Sequence, residues 1–433
     1  MKLTPFLFRR SPRVACLALL AFSPSPLPAQ TRAAAAPTAS AMVNPSTPAL
    51  PPTAASASTA SGPVNSAGPA VAPTPGSVPA LAAPYIFSAR RAYVAPQLPD
   101  APPEWVTKSM AWVDIILDAF PPAVDENPAR RAALMRLDDV FHLADASSRP
   151  QVRAFLQSRV EKALRAMEAA PSDAHPRIWK LYNDGFVVRV DGCTYGFDLI
   201  PGVPGRPRGM PTYVGAPAED CTMTEAQLRR LVAQVDVLFI SHLHADHANP
   251  RMAAAFLAAH KPVVVPPELW NKTDLASRLL YAPRSVTDDF QIPIQEGKVK
   301  LRVHAFPGHQ GPVLNNDYLV TTPDGFTVMH TGDQSIPETD GKDFDWLDRI
   351  GDRYKVHVLF TDCWYPDVKR LIRSVNPELV ITGHENELGH PIDHREDYAQ
   401  TYERLWGSPY PFVLMTWGEF FMFQRSDPFR FNK

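Results

Sequence analysis

The segment that most constrains this chain lies at the end of one apolar run. Val237-Leu238-Phe239-Ile240, of strand length, leads directly into Ser241-His242-Leu243-His244-Ala245-Asp246-His247. Three histidines and an aspartate thus fall within six residues at the C-terminal end of a predicted strand. Residues two apart in a strand share a face, so the spacing places His242 and His244 to chelate one ion. A turn from the strand into a helix would aim Asp246 and His247 at a neighbouring position. Imidazole and carboxylate are the natural ligands of catalytic zinc, which keeps one position open for water.

The surrounding sequence alternates between strand and helix patterns. Phe186–Val190, a turn at Asp191-Gly192 and Tyr195–Asp198 read as a β-hairpin. Thr224 with Gln227 forms a capping box that opens a helix, and Met252–Ala259 reads as a second helix. Strands are predicted at 263–265, 298–306, 356–360, 379–382 and 412–415, with a hairpin from 318 to 330 about Pro323-Asp324-Gly325. This alternation implies a layered α/β domain. Ahead of it, residues 101–170 read as helices. Val106, Met110, Val113, Leu117 and Phe120 form one stripe, Leu134, Leu137 and Phe141 a second after Asn127-Pro128, and Val152, Phe155, Val160, Leu164 and Met167 a third. The segment carries no cluster of catalytic residue types and reads as a cap or brace.

The N-terminal quarter has a different composition. Lys2, Arg9, Arg10 and Arg13 precede the short apolar run Val14–Phe22 and then Leu27-Pro28-Ala29, the pattern of a secretory signal peptide. The run is far short of the ~20 residues that span a bilayer. From Gln30 to Pro84 the chain is mostly Ala, Pro, Ser and Thr, with Arg32 its one charge, which predicts a disordered tether. The expected organisation is a signal peptide over 1–29, an Ala/Pro-rich linker over 30–97, a helical brace over 98–175 and the α/β domain over 176–433. Export places the mature protein in the periplasm or outside the cell. Of four cysteines, Cys16 leaves with the signal; Cys193, Cys221 and Cys363 remain, as buried thiols or with one Cys193–Cys221 bond.

The string His-x-His-x-Asp-His over 242–247 resembles the signature of the metallo-β-lactamase superfamily, and the resemblance extends over about residues 178–424. The order of elements is most similar to the L-ascorbate-6-phosphate lactonase-like branch, with the helices of 101–170 as an addition. The resemblance implies an αββα sandwich of two mixed sheets. It further implies that His309, in Pro307-Gly308-His309, completes a first metal site with His242 and His244. Asp246, His247 and His384 would hold a second metal, and Asp333, in Thr331-Gly332-Asp333, would bridge the two. All three downstream ligands are expected on loops after strands. Two Zn2+ ions are expected, with Mn2+ or Fe compatible with the same ligands, sharing a hydroxide that attacks an ester, lactone or phosphate-ester bond. True β-lactamases of the superfamily lack the bridging Asp, which argues against β-lactam hydrolysis as the native activity.

His390 competes with His384 for the last ligand position; otherwise it is the candidate proton donor to the leaving group, with Asp246 as the residue that orients the nucleophile. Asp198 is expected to orient the 242–247 loop by hydrogen bonding rather than to bind metal. Asp362, His304 and His330 are candidate supports for ligands. Lys and Arg (43) nearly balance Asp and Glu (45), which speaks against nucleic acid as a partner and against a bulk grip on anionic membrane. The expected partner is a small-molecule substrate, with no stable membrane insertion and no protein partner. The alternatives are a nuclease or β-lactam hydrolase on the same scaffold, or a non-catalytic zinc-binding protein.

Overall fold

The computed structural model describes residues 101–143, 145–202, 223–335, 342–365, 367–388 and 396–425. The predicted signal peptide and linker, Cys16, Cys221 and His390 lie outside the described residues. Three helices open the described chain: α1 (Pro103–Ala119), α2 (Pro128–Phe141) and α3 (Pro150–Ala169). Each begins on a proline, whose fixed φ suits the first turn and whose missing N–H has no partner to lose there. Asn127 caps α2 by accepting the Ala129 N–H at 2.8 Å. All three predicted stripes face inward except for Phe120, which follows the end of α1 and is half-buried.

Strands and helices then alternate: β1 (Arg177–Lys180), β2 (Phe186–Val190), β3 (Cys193–Phe197), α4 (Glu225–Gln234), β4 (Val237–Phe239), α5 (Pro250–Ala258), β5 (Val263–Val265) and β6 (Leu280–Tyr281). The second half holds β7 (Phe290–Ile294), β8 (Val299–Gln310), β9 (Val313–Thr321), β10 (Thr327–His330), α6 (Phe344–Leu347), α7 (Ile350–Arg353), β11 (Val358–Asp362), α8 (Val368–Val375), β12 (Leu379–Gly383), α9 (Tyr398–Leu405), β13 (Phe412–Val413) and β14 (Glu419–Met422). The capping box at Thr224 and Gln227 is present.

The strands make two mixed sheets of seven, β14-β1-β2-β3-β4-β5-β6 and β13-β12-β11-β10-β9-β8-β7. β3 through β6 run parallel, as do β10 through β13. Central strands such as β2, β11 and β12 are buried on both faces, which is why they read as unbroken apolar runs rather than alternating ones. Period-two geometry divides them between two cores. Phe186, Val188, Phe239, Tyr318, Val328 and Phe360 pack between the sheets, with Phe186 and Phe360 stacked at 4.1 Å. Val187, Leu238, Met329 and Leu359 join a second core with helix residues. The expected sandwich of two mixed sheets with flanking helices is therefore found.

The opening helices seat on the turn before β14 through a buried charge pair. Arg130 donates to both carboxylate oxygens of Glu419 at 2.6 Å and to the Leu414 carbonyl at 2.7 Å. Phe141 stacks on Trp417 at 4.7 Å.

Candidate metal centre

The seven-residue string leaves β4 at Phe239 and turns before α5, so it forms a loop rather than a strand end. The Ala248 N–H donates to the His244 carbonyl at 2.7 Å, closing that turn. Strand alternation is thus not what brings His242 and His244 together. The turn does it, with His242 Nε2 3.1 Å from His244 Nδ1. A second expectation also changes: His309 lies inside β8, not on a loop after it. The β8–β9 ladder runs on to the Gln310–Val313 pair, so His309 sits opposite Leu314. Asp333 and His384 do follow strands, β10 and β12, closely.

Asp198, at the end of β3, anchors the loop. Its carboxylate accepts the Ser241 N–H at 2.7 Å, the Ser241 hydroxyl at 2.5 Å and the His247 Nδ1–H at 2.7 Å. Because the Ser241 hydroxyl donates to Asp198, it accepts from His242 Nδ1, 2.9 Å away. Both imidazoles are therefore held through Nδ1 and present Nε2 inward, the arrangement by which an outer carboxylate sets the tautomer of a metal ligand. His309 follows the same pattern, its Nδ1 3.1 Å from the buried Asp343. His384 Nδ1 lies 3.4 Å from the Glu387 carboxylate.

Imidazole nitrogens, Nδ1 in the case of His244, and carboxylates meet at two adjoining places. His242, His244 and Asp333 offer ligand atoms within 4.8 Å of one another, and so do Asp246, His247, Asp333 and His384. Asp333 belongs to both groups. Its Oδ1 lies 3.1 Å from His247 Nε2 and 2.8 Å from His384 Nε2, while its Oδ2 lies 3.6 Å from His242 Nε2. His247 Nε2 is also 3.1 Å from Asp246. His309 is in neither group. His384 is placed here; His390, the other histidine open for the last position, lies outside the described residues. Gly332 sets Asp333: its φ is +50°, and a Cβ there would meet Ser241 at 2.5 Å.

The electrostatics of the centre favour a cation. Burial alone would depress the His247 imidazole, yet Asp333, Asp246 and Asp198 outweigh it and hold it well above its ordinary value. Burial would likewise raise Asp333, and the histidines around it pull it well below the usual carboxylate range. Asp246 Oδ2 and Asp333 Oδ1 are buried without a hydrogen-bond donor. Buried carboxylate oxygens of this kind, set among imidazole nitrogens, fit a divalent metal of zinc's class.

Several supporting residues carried no sequence signal. Gln310 donates to Asp333 Oδ2 at 2.8 Å, and Gln334 bridges the His309 N–H and Asp343. Asp184 reaches His330 Nε2 at 3.0 Å, and His330 Nδ1 accepts the Gly332 N–H at 3.2 Å. His330 thereby supports the Asp333 turn. His304 packs instead against Phe306 and Tyr354. Asp362 is fully buried near His384 and Asp184, and burial, then Asp333, push its carboxyl well above the usual range. Cys363 is a buried thiol raised by burial, unsuited to attack as a nucleophile.

No family model and no characterised sequence matches this chain. Among solved structures it is similar to a metallo hydrolase from the archaeon Ignicoccus hospitalis (17% identity, 58% of this chain and 99% of that one, TM-score 0.41). It is also similar to a possible metal-dependent hydrolase from Veillonella parvula (14%, 58% and 100%, TM-score 0.42). A diiron β-hydroxylase from Streptomyces venezuelae is a third (13%, 59% and 55%, TM-score 0.41). These are distant likenesses of chain path; the chemistry rests on the site itself.

Proposed function

We propose that this chain is an exported hydrolase of the metallo-β-lactamase superfamily that holds two metal ions, zinc foremost, and cleaves an ester, lactone or phosphate-ester bond in a small-molecule substrate. The observation that carries this reading is Asp333, shared between two groups of ligand atoms, all buried but the half-buried His244. His242, His244 and the Nε2 of His309 would hold one ion; Asp246, His247 and His384 would hold the other. Two such ions, when bound, make water acidic near neutral pH and polarise the scissile group. Within this arrangement Gln310 fixes one oxygen of Asp333, and Asp246, the acidic residue of the turn, orients the attacking nucleophile. His390 serves as proton donor to the leaving group. Leu243, exposed between two ligands, and Trp364, whose ring lies 6.2 Å from His384, place apolar side chains beside the centre.

The test is a screen of lactones, carboxylic and phosphate esters, thioesters and β-lactams with zinc-loaded protein. Turnover of an ester, lactone or phosphate ester that Asp246→Asn abolishes supports the reading. Full metal loading without hydrolysis of any class would favour a non-catalytic zinc-binding protein. Export rests on the basic start, short apolar run and Ala/Pro-rich tether.

A further inference from the structure

His384 sits in an awkward stretch of backbone. It and Asn386 both have left-handed φ, +71° and +54°, a region few non-glycine residues adopt, Asn and His more readily than most. What holds them lies far away in sequence. The Asn386 side-chain amide donates to Asp138 Oδ1 at 2.8 Å. Asp138 belongs to α2, outside the two sheets, and is buried. The same carboxylate accepts the Tyr398 N–H at 2.9 Å and the Ala399 N–H at 3.2 Å, so it also caps the start of α9. On the other side of the loop, the Tyr182 hydroxyl accepts the Leu388 N–H at 2.8 Å and donates to the Leu388 carbonyl at 2.5 Å. Lys180 donates to Glu385 at 2.5 Å and to the Thr382 carbonyl at 2.9 Å.

We infer that Asp138 is a positioning residue for the second metal: through Asn386 it holds the loop that aims His384 at Asp333. The opening helices thus build part of the metal centre without contributing a ligand. This inference rests on the two-metal reading above. It follows that loosening the Asp138–Asn386 link releases His384 while leaving His242, His244 and the Asp198 anchor in place. Affinity for one ion should fall and affinity for the other should hold.

The experiment measures zinc binding by equilibrium dialysis with elemental analysis, alongside thermal unfolding of the metal-free forms. The variants are Asp138→Ala, Asn386→Gly and, as a control on the same helix, Asp139→Asn. Asn386→Gly removes the donor, tolerates the left-handed backbone and leaves Asp138 free to cap α9, so it serves even if Asp138→Ala fails to fold. Wild type and Asp139→Asn should bind two equivalents tightly. Asp138→Ala and Asn386→Gly should keep one tight equivalent and bind the other about 10–100-fold more weakly. Two tight equivalents in Asn386→Gly, whatever its melting temperature, would overturn the inference alone. A wild type that binds fewer than two would instead overturn the two-metal reading and this inference with it.

Discussion

At Asp198 one carboxylate sets two histidines at once, His247 directly and His242 through Ser241. Asp198→Ala should therefore weaken both metal positions, each by about 10–100-fold, measurable by competition with a chelator. Asp246 differs, because it belongs to one group of ligand atoms only. Asp246→Asn should lower turnover by about 10²–10⁴, as for a positioned acid–base group, with the first ion still bound; near-normal turnover with full metal would contradict the hydrolytic mechanism. The residues of 242–247 were legible because their spacing is local, and Asp198 because it ends a recognisable strand. Asp343, Gln310, Gln334 and Asp184 were not. The ligands and ligand supports they reach, His309, Asp333 and His330, lie 23 or more residues away, so no short-range pattern marks them. His309 was legible as a histidine near a strand end, but its place inside β8 was not, because Pro307-Gly308 reads as a break and the ladder with β9 carries through it.

Among the elements, the opening helices were legible as three apolar stripes, and their attachment was not, because it depends on polar side chains that sequence reading assigns to the surface. Arg130 is 1% exposed and Glu419 2%. Glu419→Ala would leave the Arg130 guanidinium buried without its carboxylate, and should cost about 3–5 kcal/mol in a denaturant titration. Asp139, also on α2, is pushed up to about 7 by burial, against the opposing pull of Arg136. A carboxyl raised on folding binds more protons in the folded than in the unfolded state between its ordinary value and 7. Stability from this group is thus present at low pH and lost as pH rises through that window. Asp139→Asn should flatten the decline, and an unchanged pH profile of the melting temperature would count against it. The strands β1, β6, β7 and β14 escaped sequence reading, having only two to five residues each.

For the whole molecule, the architecture followed from alternating patterns that both sheets and their flanking helices satisfy, whereas no such pattern marks the substrate. The export proposal predicts a mature protein beginning near Gln30 and recovered outside the cytoplasm. N-terminal sequencing of cell fractions checks it; an intact Met1 on cytosolic protein would refute it. The central claim is that Asp333 joins two metal positions, and elemental analysis of zinc-reconstituted protein tests it most directly. The wild type should carry about two ions per chain, as befits a two-metal site, and Asp333→Ala, which leaves neither position complete, should carry markedly fewer. A wild type without bound metal, or an Asp333→Ala protein that keeps both ions, would contradict the account.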